Sequence, residues 1–365
     1  MALQIGIVGL PNVGKSTLFN ALTHAHALVA NYPFTTIDPN VGVAEIPDAR
    51  LSQVAGIIHP KRQVPASIEF VDIAGLVKGA ASGEGLGNQF LGHIRNVDAV
   101  ALVLRCFENA DIPHQFDSVD PLLDLDTLNL ELTLSDIVTL ERRLDKVHGA
   151  AKANPREYMH QIEYLEKLKA HLNAGRRAAL FAGSAQERVW RDEMGLLSDK
   201  PQLLVANVAE ADLPAGGRLA RRVLERAAEE GHHAVVLCAR LEAELTEMSP
   251  ADAEEYRAGL GLGDSGLRRM AAAGYQLLNL ITFFTATGSD EVRAWPLRAG
   301  HTVWEAAGLI HSDMQKGFIR AEVISWDELA HLGSWAHARE LGHVRIEGRD
   351  TVVKDGDVVH IRFTV

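Results

Sequence analysis

Two periods of hydrophobicity divide the chain. Short apolar runs, Leu3-Gln-Ile-Gly-Ile-Val8, Ile68-Glu-Phe-Val-Asp72 and Ala99-Val-Ala-Leu-Val-Leu104, read as strands buried in a parallel sheet. Helix-like stretches at Thr17–Leu22 and Asn88–Val97 separate them, and Val41–Ala44 reads as an edge strand after a proline-bearing loop. From residue 130 the period becomes helical, with Leu130, Leu134, Ile137, Leu140, Leu144 and Val147 near heptad spacing. Gly149–Ala153 breaks that pattern. Asn154-Pro155-Arg156-Glu157 then gives a cap, a proline at the first helical position and an acid in the first turn, and Met159, Ile162, Leu165, Leu168 and Leu172 carry the helix on. This predicts an antiparallel helical arm over 130–200, inserted in an α/β domain that resumes with strands at Gln202–Ala206 and His233–Cys238. From 279 onward strands at Leu280–Thr285, Val292–Trp295, Phe318–Val323 and Val358–Phe363 surround one helix near Thr302–His311. They predict a small ubiquitin-like half-barrel over 279–365, following a main domain over 1–278.

Composition narrows the setting. The 365 residues are 47% hydrophobic and 23% charged, as expected of a soluble globular chain with two or three domains. A net charge of −12 argues against coating nucleic acid through overall charge. The two cysteines, Cys106 and Cys238, sit beside apolar runs and form neither a disulfide framework nor a metal set, which fits a reducing cytoplasm. The longest uncharged run, Ala271–Ser289, changes from helical to β-branched near Ile281, so it reads as a helix end and a strand rather than a membrane span.

The chemistry starts at Gly9-Leu-Pro-Asn-Val-Gly14-Lys15-Ser16, which follows a strand and opens a helix. That context makes G-x-x-x-x-G-K-[ST] a phosphate cradle. Backbone N–H groups of Asn12, Val13, Gly14, Lys15, Ser16 and Thr17 converge on the phosphates, and the helix N-terminus adds partial positive charge. Lys15 supplies a full charge, and Ser16 a hydroxyl for Mg²⁺. Downstream, Asn31-Tyr-Pro-Phe-Thr-Thr36 is a hydroxyl-bearing loop in which Thr36, or alternatively Thr35, can reach the metal and the γ-phosphate. Asp72 ends its strand and can hold a metal-bound water, while the Gly75 N–H can sense the γ-phosphate. Four glycines in Lys78–Gly87 suit a second switch.

Three places depart from a guanine-nucleotide switch. Leu76 stands where a glutamine commonly orients the attacking water, so another group, a metal or a partner must supply that function. His114, beyond the third strand, is a candidate, although a chain with 16 histidines offers an uninvolved surface histidine as the plainer reading. At the end of the Gln202–Ala206 strand, Asn207-Val208-Ala209-Glu210 replaces N-K-x-D. Glutamate is one methylene longer than aspartate and cannot place its carboxylate where guanine needs it, so the base site should prefer adenine. Ala239-Arg240 in place of a Ser-Ala-Lys loop points the same way. Arg142, Arg143, Lys146, Lys152, Lys167, Lys169, Arg176 and Arg177 make the arm positive. A solvated face is the plainer account, and a ribosome or RNA contact the sharper one.

Gly9–Ser16, Asn31–Thr36, Asp72-Ile-Ala-Gly75-Leu76-Val-Lys-Gly-Ala and Glu84-Gly-Leu-Gly-Asn-Gln-Phe-Leu91 resemble the Obg superfamily of P-loop proteins. Asn207-x-x-Glu210, Arg105-Cys-Phe-Glu-Asn109 and the C-terminal unit make the whole chain similar to the YchF ATPase branch. The resemblance implies a P-loop domain with a coiled-coil insertion and a C-terminal β-grasp (TGS) domain. It implies ATP as substrate, Mg²⁺, slow hydrolysis, and ribosome association with a regulatory role in translation or stress response. In its terms His114 matches a water-positioning histidine, and Asn12 an asparagine that supports K⁺ beside the phosphates. Some members carry a redox-sensitive cysteine where this chain has Phe34-Thr35-Thr36, so thiol control through that loop is not expected. The rival expectations are a GTPase that tolerates Glu210 and a ribosome or RNA adaptor whose nucleotide is structural.

Overall fold

In the computed structural model the described residues are 3–29, 40–73, 86–116, 118–287 and 290–364. The chain divides into two compact units, one of residues 1–2, 43–68 and 274–365, the other of residues 3–42 and 69–273.

One six-stranded sheet has the order β2-β4-β1-β5-β6-β7. The strands are β1 (Gln4–Val8), β2 (Val41–Ile46), β4 (Ala66–Asp72), β5 (Ala99–Arg105), β6 (Gln202–Asn207) and β7 (His233–Leu237). β1 runs parallel to both β4 and β5, and β5-β6-β7 continue in parallel. Every residue of β5 and β6 is buried, which explains why these strands read as unbroken apolar runs. Parallel strands put all their carboxyl ends on one edge. The order places β1 between β4 and β5, so that edge opens at a topological switch point where open α/β sheets bind ligands.

The predicted arm is present, but its first helix begins earlier than the heptad pattern suggests. It runs Pro121–Ala151, with Asp120 as the cap and proline at the first position, and its partner runs Pro155–Asn173. Leu140, Leu144 and Val147 pack against Tyr164, Leu165, Leu168 and Leu172 as expected. The first half is rotated. Leu125, Leu128 and Leu132 are buried, whereas Leu130 and Leu134 are 49% and 40% exposed. The helix contacts β5 and the helix Gly217–Glu230 as well as its hairpin partner, so more than one stripe of it faces inward. Asp136, fully buried, accepts from the Leu197 and Ser198 N–H groups and from the Ser198 hydroxyl, at 2.6–2.7 Å, and so anchors the return segment. Burial pushes its carboxyl up to about 6, a rise that those three donors oppose. The basic set is also less open than its sequence implies. Arg177 is buried against His232 and the Lys200 carbonyl, and Arg143, Lys167 and Lys169 pair with Glu193, Glu163 and Glu141.

The smaller unit carries a second sheet, β11-β10-β12-β8-β9-β3. Its strands are β3 (Arg62–Val64), β8 (Leu280–Thr287), β9 (Glu291–Arg298), β10 (Phe318–Ser325), β11 (Arg345–Glu347) and β12 (Asp357–Phe363). β8 and β9 form an antiparallel hairpin, and β12 lies parallel to β8. The central helix, Val303–Ile310, starts at a Thr302/Glu305 capping box and packs Val303, Ala306 and Ala307 against Phe283, Leu297, Val323 and Val359. This is the β-grasp arrangement expected, with additions. β3 comes from far upstream, and helices Ser312–Lys316, Trp326–Leu332 and Trp335–Glu340 join the single helix predicted. At the Lys354–Asp357 turn, Gly356 has φ +87°, and a Cβ there would lie 2.4 Å from Trp326. Among the described residues no helix is long and apolar enough to cross a membrane.

Candidate functional site

The carboxyl edge of the parallel sheet gathers most of the sequence-predicted residues. β1 ends at Val8, and the loop from Gly9 leads into the helix Lys15–Val29. Gly14 has φ +91°, and a Cβ there would fall 2.2 Å from the Asn207 amide nitrogen. Positive φ and close approach together leave only glycine at this position. Asn12 also takes positive φ, 61°, and its side-chain amide donates to the Pro113 carbonyl at 3.1 Å. Val13 is buried, while Ser16 and Thr17 lie in the first turn of the helix, Ser16 exposed.

Lys15 makes a close ion pair with Asp72, the last residue of β4. The two side chains are 11% and 26% exposed, so the pair is only partly shielded from solvent. In this arrangement the ammonium balances the carboxylate at the point where phosphate charge is expected. Ser16 and Asp72 offer hard oxygen donors, the type Mg²⁺ requires. Thr36, with its alternate Thr35, Gly75 and Leu76 lie outside the described residues, as do both predicted switch segments up to 85.

Asn207, at the end of β6, is buried and fully engaged with the surrounding backbone. Its amide nitrogen donates to the Val13 carbonyl at 2.8 Å, and its carbonyl accepts from Ala239 N–H at 2.9 Å. One side chain thus ties the phosphate loop to the start of the helix Ala239–Thr246. The sequence assigned Asn207 to the base, whereas these two bonds give it a bracing part as well. Val208 is buried at 2% exposure, with its N–H on the Leu237 carbonyl. Glu210 opens a short 3₁₀ turn and accepts from the Tyr256 hydroxyl at 2.8 Å. Nothing in the sequence pattern singles out Tyr256, which lies 46 residues away.

β5 ends in Arg105, a second residue that sequence reading left without a part. It is 1% exposed, and its guanidinium donates to the carbonyls of Phe107, Asn109, Ile112 and Pro113 at 3.1–3.3 Å, with its charge over the Phe107 ring. Burial lowers its pKa, and those four carbonyls compensate the lost hydration. Arg105 therefore shapes the loop that delivers Pro113 to Asn12 and carries His114.

His114 is not at the surface. Its ring is 6% exposed, and both nitrogens are taken. Phe116 N–H donates to Nδ1 at 3.3 Å, which fixes the proton on Nε2, and Nε2 faces the Asp124 carboxylate at 3.2 Å. Asp124 sits in the first turn of the long helix, 1% exposed, and its other oxygen has no hydrogen-bond partner among the described residues. Burial raises the Asp124 pKa, and His114 opposes that rise. The ring thus points into the protein toward the arm. The Cys106 thiol is pushed up to about 12 by burial, and Cys238 is raised for the same reason, so neither thiol is poised for redox chemistry.

The sequence and the fold are similar to those of known proteins. A family model described as a 50S ribosome-binding GTPase matches residues 4–139, and the YchF-GTPase_C family, described as a protein of unknown function, matches 280–364. The Ribosome-binding ATPase YchF of Bacillus subtilis is 47% identical over 367 residues, covering all of both chains. The protein of the same name from Escherichia coli O157:H7 is 47% identical over 366 residues, again covering both completely. The solved structure of the Schizosaccharomyces pombe YchF GTPase has a TM-score of 0.88 at 34% identity and covers 99% of this chain and 97% of its own.

Proposed function

This chain belongs to the YchF family, and from that premise we propose that it is an ATP-binding, slowly ATP-hydrolysing switch that associates with the ribosome. The observation that carries the reading is the Asn207 bridge. It holds the N-x-x-E segment and the phosphate loop as one rigid piece, so a nucleotide bound at one meets the other. Lys15 and the amides of Asn12–Thr17 hold the phosphates. As ATP enters, the Lys15 ammonium moves from Asp72 to the β- and γ-phosphates. Ser16 and Thr36 would ligate Mg²⁺, and Asp72, released by Lys15, would hold one of its waters. When bound, Mg²⁺ would supply charge that neutralises the phosphate oxygens. The Asn12 amide nitrogen is committed to Pro113, and its side-chain oxygen would be the group left to hold a K⁺ ion beside the phosphates.

The base preference rests on Val208 and Glu210. Val208 is buried and offers no cationic stem to lie on a purine, and Glu210, one methylene longer than the aspartate that pairs with guanine, has one carboxylate oxygen taken by the Tyr256 hydroxyl. Adenine takes its place, with Asn207, Val208 and Glu210 bordering it. Ribosome association is supported by the relatives' names and by the exposed basic residues Arg142, Lys146, Lys152 and Arg176 of the arm, which offer a route to RNA. A ribosome partner implies a cytoplasmic site of action.

Slow turnover follows from two residues. Leu76 cannot hydrogen-bond a water, and His114 is held against Asp124. Hydrolysis then waits on movement of the 106–116 loop, which carries the imidazole to the attacking water. His114→Ala should lower the single-turnover rate of ATP hydrolysis by about 10²-fold. ATP affinity should stay within about twofold, because the ring does not touch the phosphate loop. A variant that hydrolyses ATP at the parent rate would remove His114 from the mechanism.

A further inference from the structure

We propose that Tyr256 is a specificity-determining residue, holding Glu210 so that its carboxylate is withheld from a guanine edge. The inference rests on the reading of Asn207–Glu210 as the base site and names a residue that sets its selectivity.

Tyr256 lies on the helix Pro250–Gly259, which Ser249 caps and Pro250 opens. Its ring is 42% exposed, and its hydroxyl reaches Glu210 Oε1 at 2.8 Å. Among the described residues this hydroxyl is the hydrogen-bond donor that Glu210 meets. Arg240, the nearby cation in the first turn of the helix Ala239–Thr246, is bound instead to Glu244 at 2.8 Å. The hydrogen bond to Glu210, followed by its charge, raises the Tyr256 pKa, so the phenol remains a proton donor throughout the neutral range.

The two purines respond differently to such a carboxylate. Guanine presents two donors side by side, N1–H and the 2-amino group, and a carboxylate binds them with both oxygens. Adenine presents an acceptor at N1 and no 2-amino group, so it gains nothing from two free oxygens. A phenol bonded to Oε1 occupies one of the two oxygens and weakens it as an acceptor. It also holds the flexible glutamate side chain at the position set by the Pro250–Gly259 helix. Guanine loses a pair of bonds, and adenine loses none.

The test compares Tyr256→Phe, Glu210→Ala and the double variant with the parent, using non-hydrolysable ATP and GTP analogues with Mg²⁺ in calorimetry. Phenylalanine keeps the ring and deletes only the hydroxyl of an exposed residue, so folding is not at issue. Tyr256→Phe should tighten the GTP analogue by about three- to tenfold and move the ATP analogue by less than about twofold. In the Glu210→Ala background the same change should alter neither affinity. Unchanged GTP affinity in Tyr256→Phe, or equal shifts for both nucleotides, would overturn the inference. If Glu210→Ala shifts the ATP-to-GTP ratio while Tyr256→Phe does not, Tyr256 is excluded and the base site stands. If Glu210→Ala leaves the ratio at the parent value, the base-site reading falls, and the inference with it.

Discussion

Lys15→Ala should lower kcat/KM for ATP by about 10³-fold, the scale expected when a single charged contact to the transition state is lost. Lys15 is the one full positive charge that the phosphate loop supplies, and it already stands against Asp72 at the end of β4. Removing it costs the phosphates their cation and leaves the Asp72 carboxylate facing them as a like charge. The fold should hardly notice. The pair is partly solvated, and its loss costs less than about 1 kcal/mol after solvent screening, so melting should change little while activity collapses. Ribosome co-sedimentation with and without ATP then separates two accounts. A switch loses the nucleotide dependence of its association in this variant. If association and its ATP dependence both survive, the nucleotide is structural and the adaptor account replaces the switch.

Asn207→Ala should fail differently, losing stability and nucleotide together. Asn207 is 4% exposed, and the substitution leaves the Val13 carbonyl and the Ala239 N–H buried without their partner. Each unsatisfied group costs about 1–3 kcal/mol. The amide also fills the space beside Gly14 that a Cβ would otherwise enter, so a void opens under the phosphate loop. With the brace gone, the phosphate loop and the helix Ala239–Thr246 are no longer positioned by one side chain. We expect a fall in thermal stability and at least about tenfold weaker binding of ATP and GTP alike. Thermal melts and calorimetry on one preparation check both. Selective loss of ATP with GTP retained would show that Asn207 reads the base instead of bracing the loop.

The two residues illustrate what the sequence makes legible. Gly9–Ser16, Asp72 and Asn207-x-x-Glu210 each announce themselves through short local spacing next to an apolar strand. The sheet then brings them to one edge because parallel strands share a direction. The partners do not announce themselves. Tyr256 and Glu210 are 46 residues apart, Asp136 and Ser198 are 62 apart, and only the packed chain joins them. The first helix of the arm shows the same limit within one element. Its cap, Asp120-Pro121, is a readable start signal. Which stripe faces inward is decided by what the helix packs on, so Leu130 and Leu134 continue the periodicity yet stay exposed, while Leu125, Leu128 and Leu132 are buried. Arg177 likewise reads as one more surface cation until Lys200 and His232 enclose it. In the second sheet β3 is too short to carry a period, and it finds its place beside β9 through pairing across more than two hundred residues.

His114 stands between these cases. Its position after β5 is readable, but its environment is not. The sequence offers a histidine free to meet water, whereas the fold seats the ring against Asp124, on a loop that Arg105 fastens through four carbonyls. In the proposed mechanism slow turnover follows from that seating as much as from Leu76.

The central claim is that the base site selects adenine. Titrating the purified protein with non-hydrolysable ATP and GTP analogues in the presence of Mg²⁺ tests it most directly. The account predicts that the ATP analogue binds at least about tenfold more tightly, because Glu210 and the buried Val208 withhold what guanine needs. Equal affinities, or tighter binding of the GTP analogue, would contradict it.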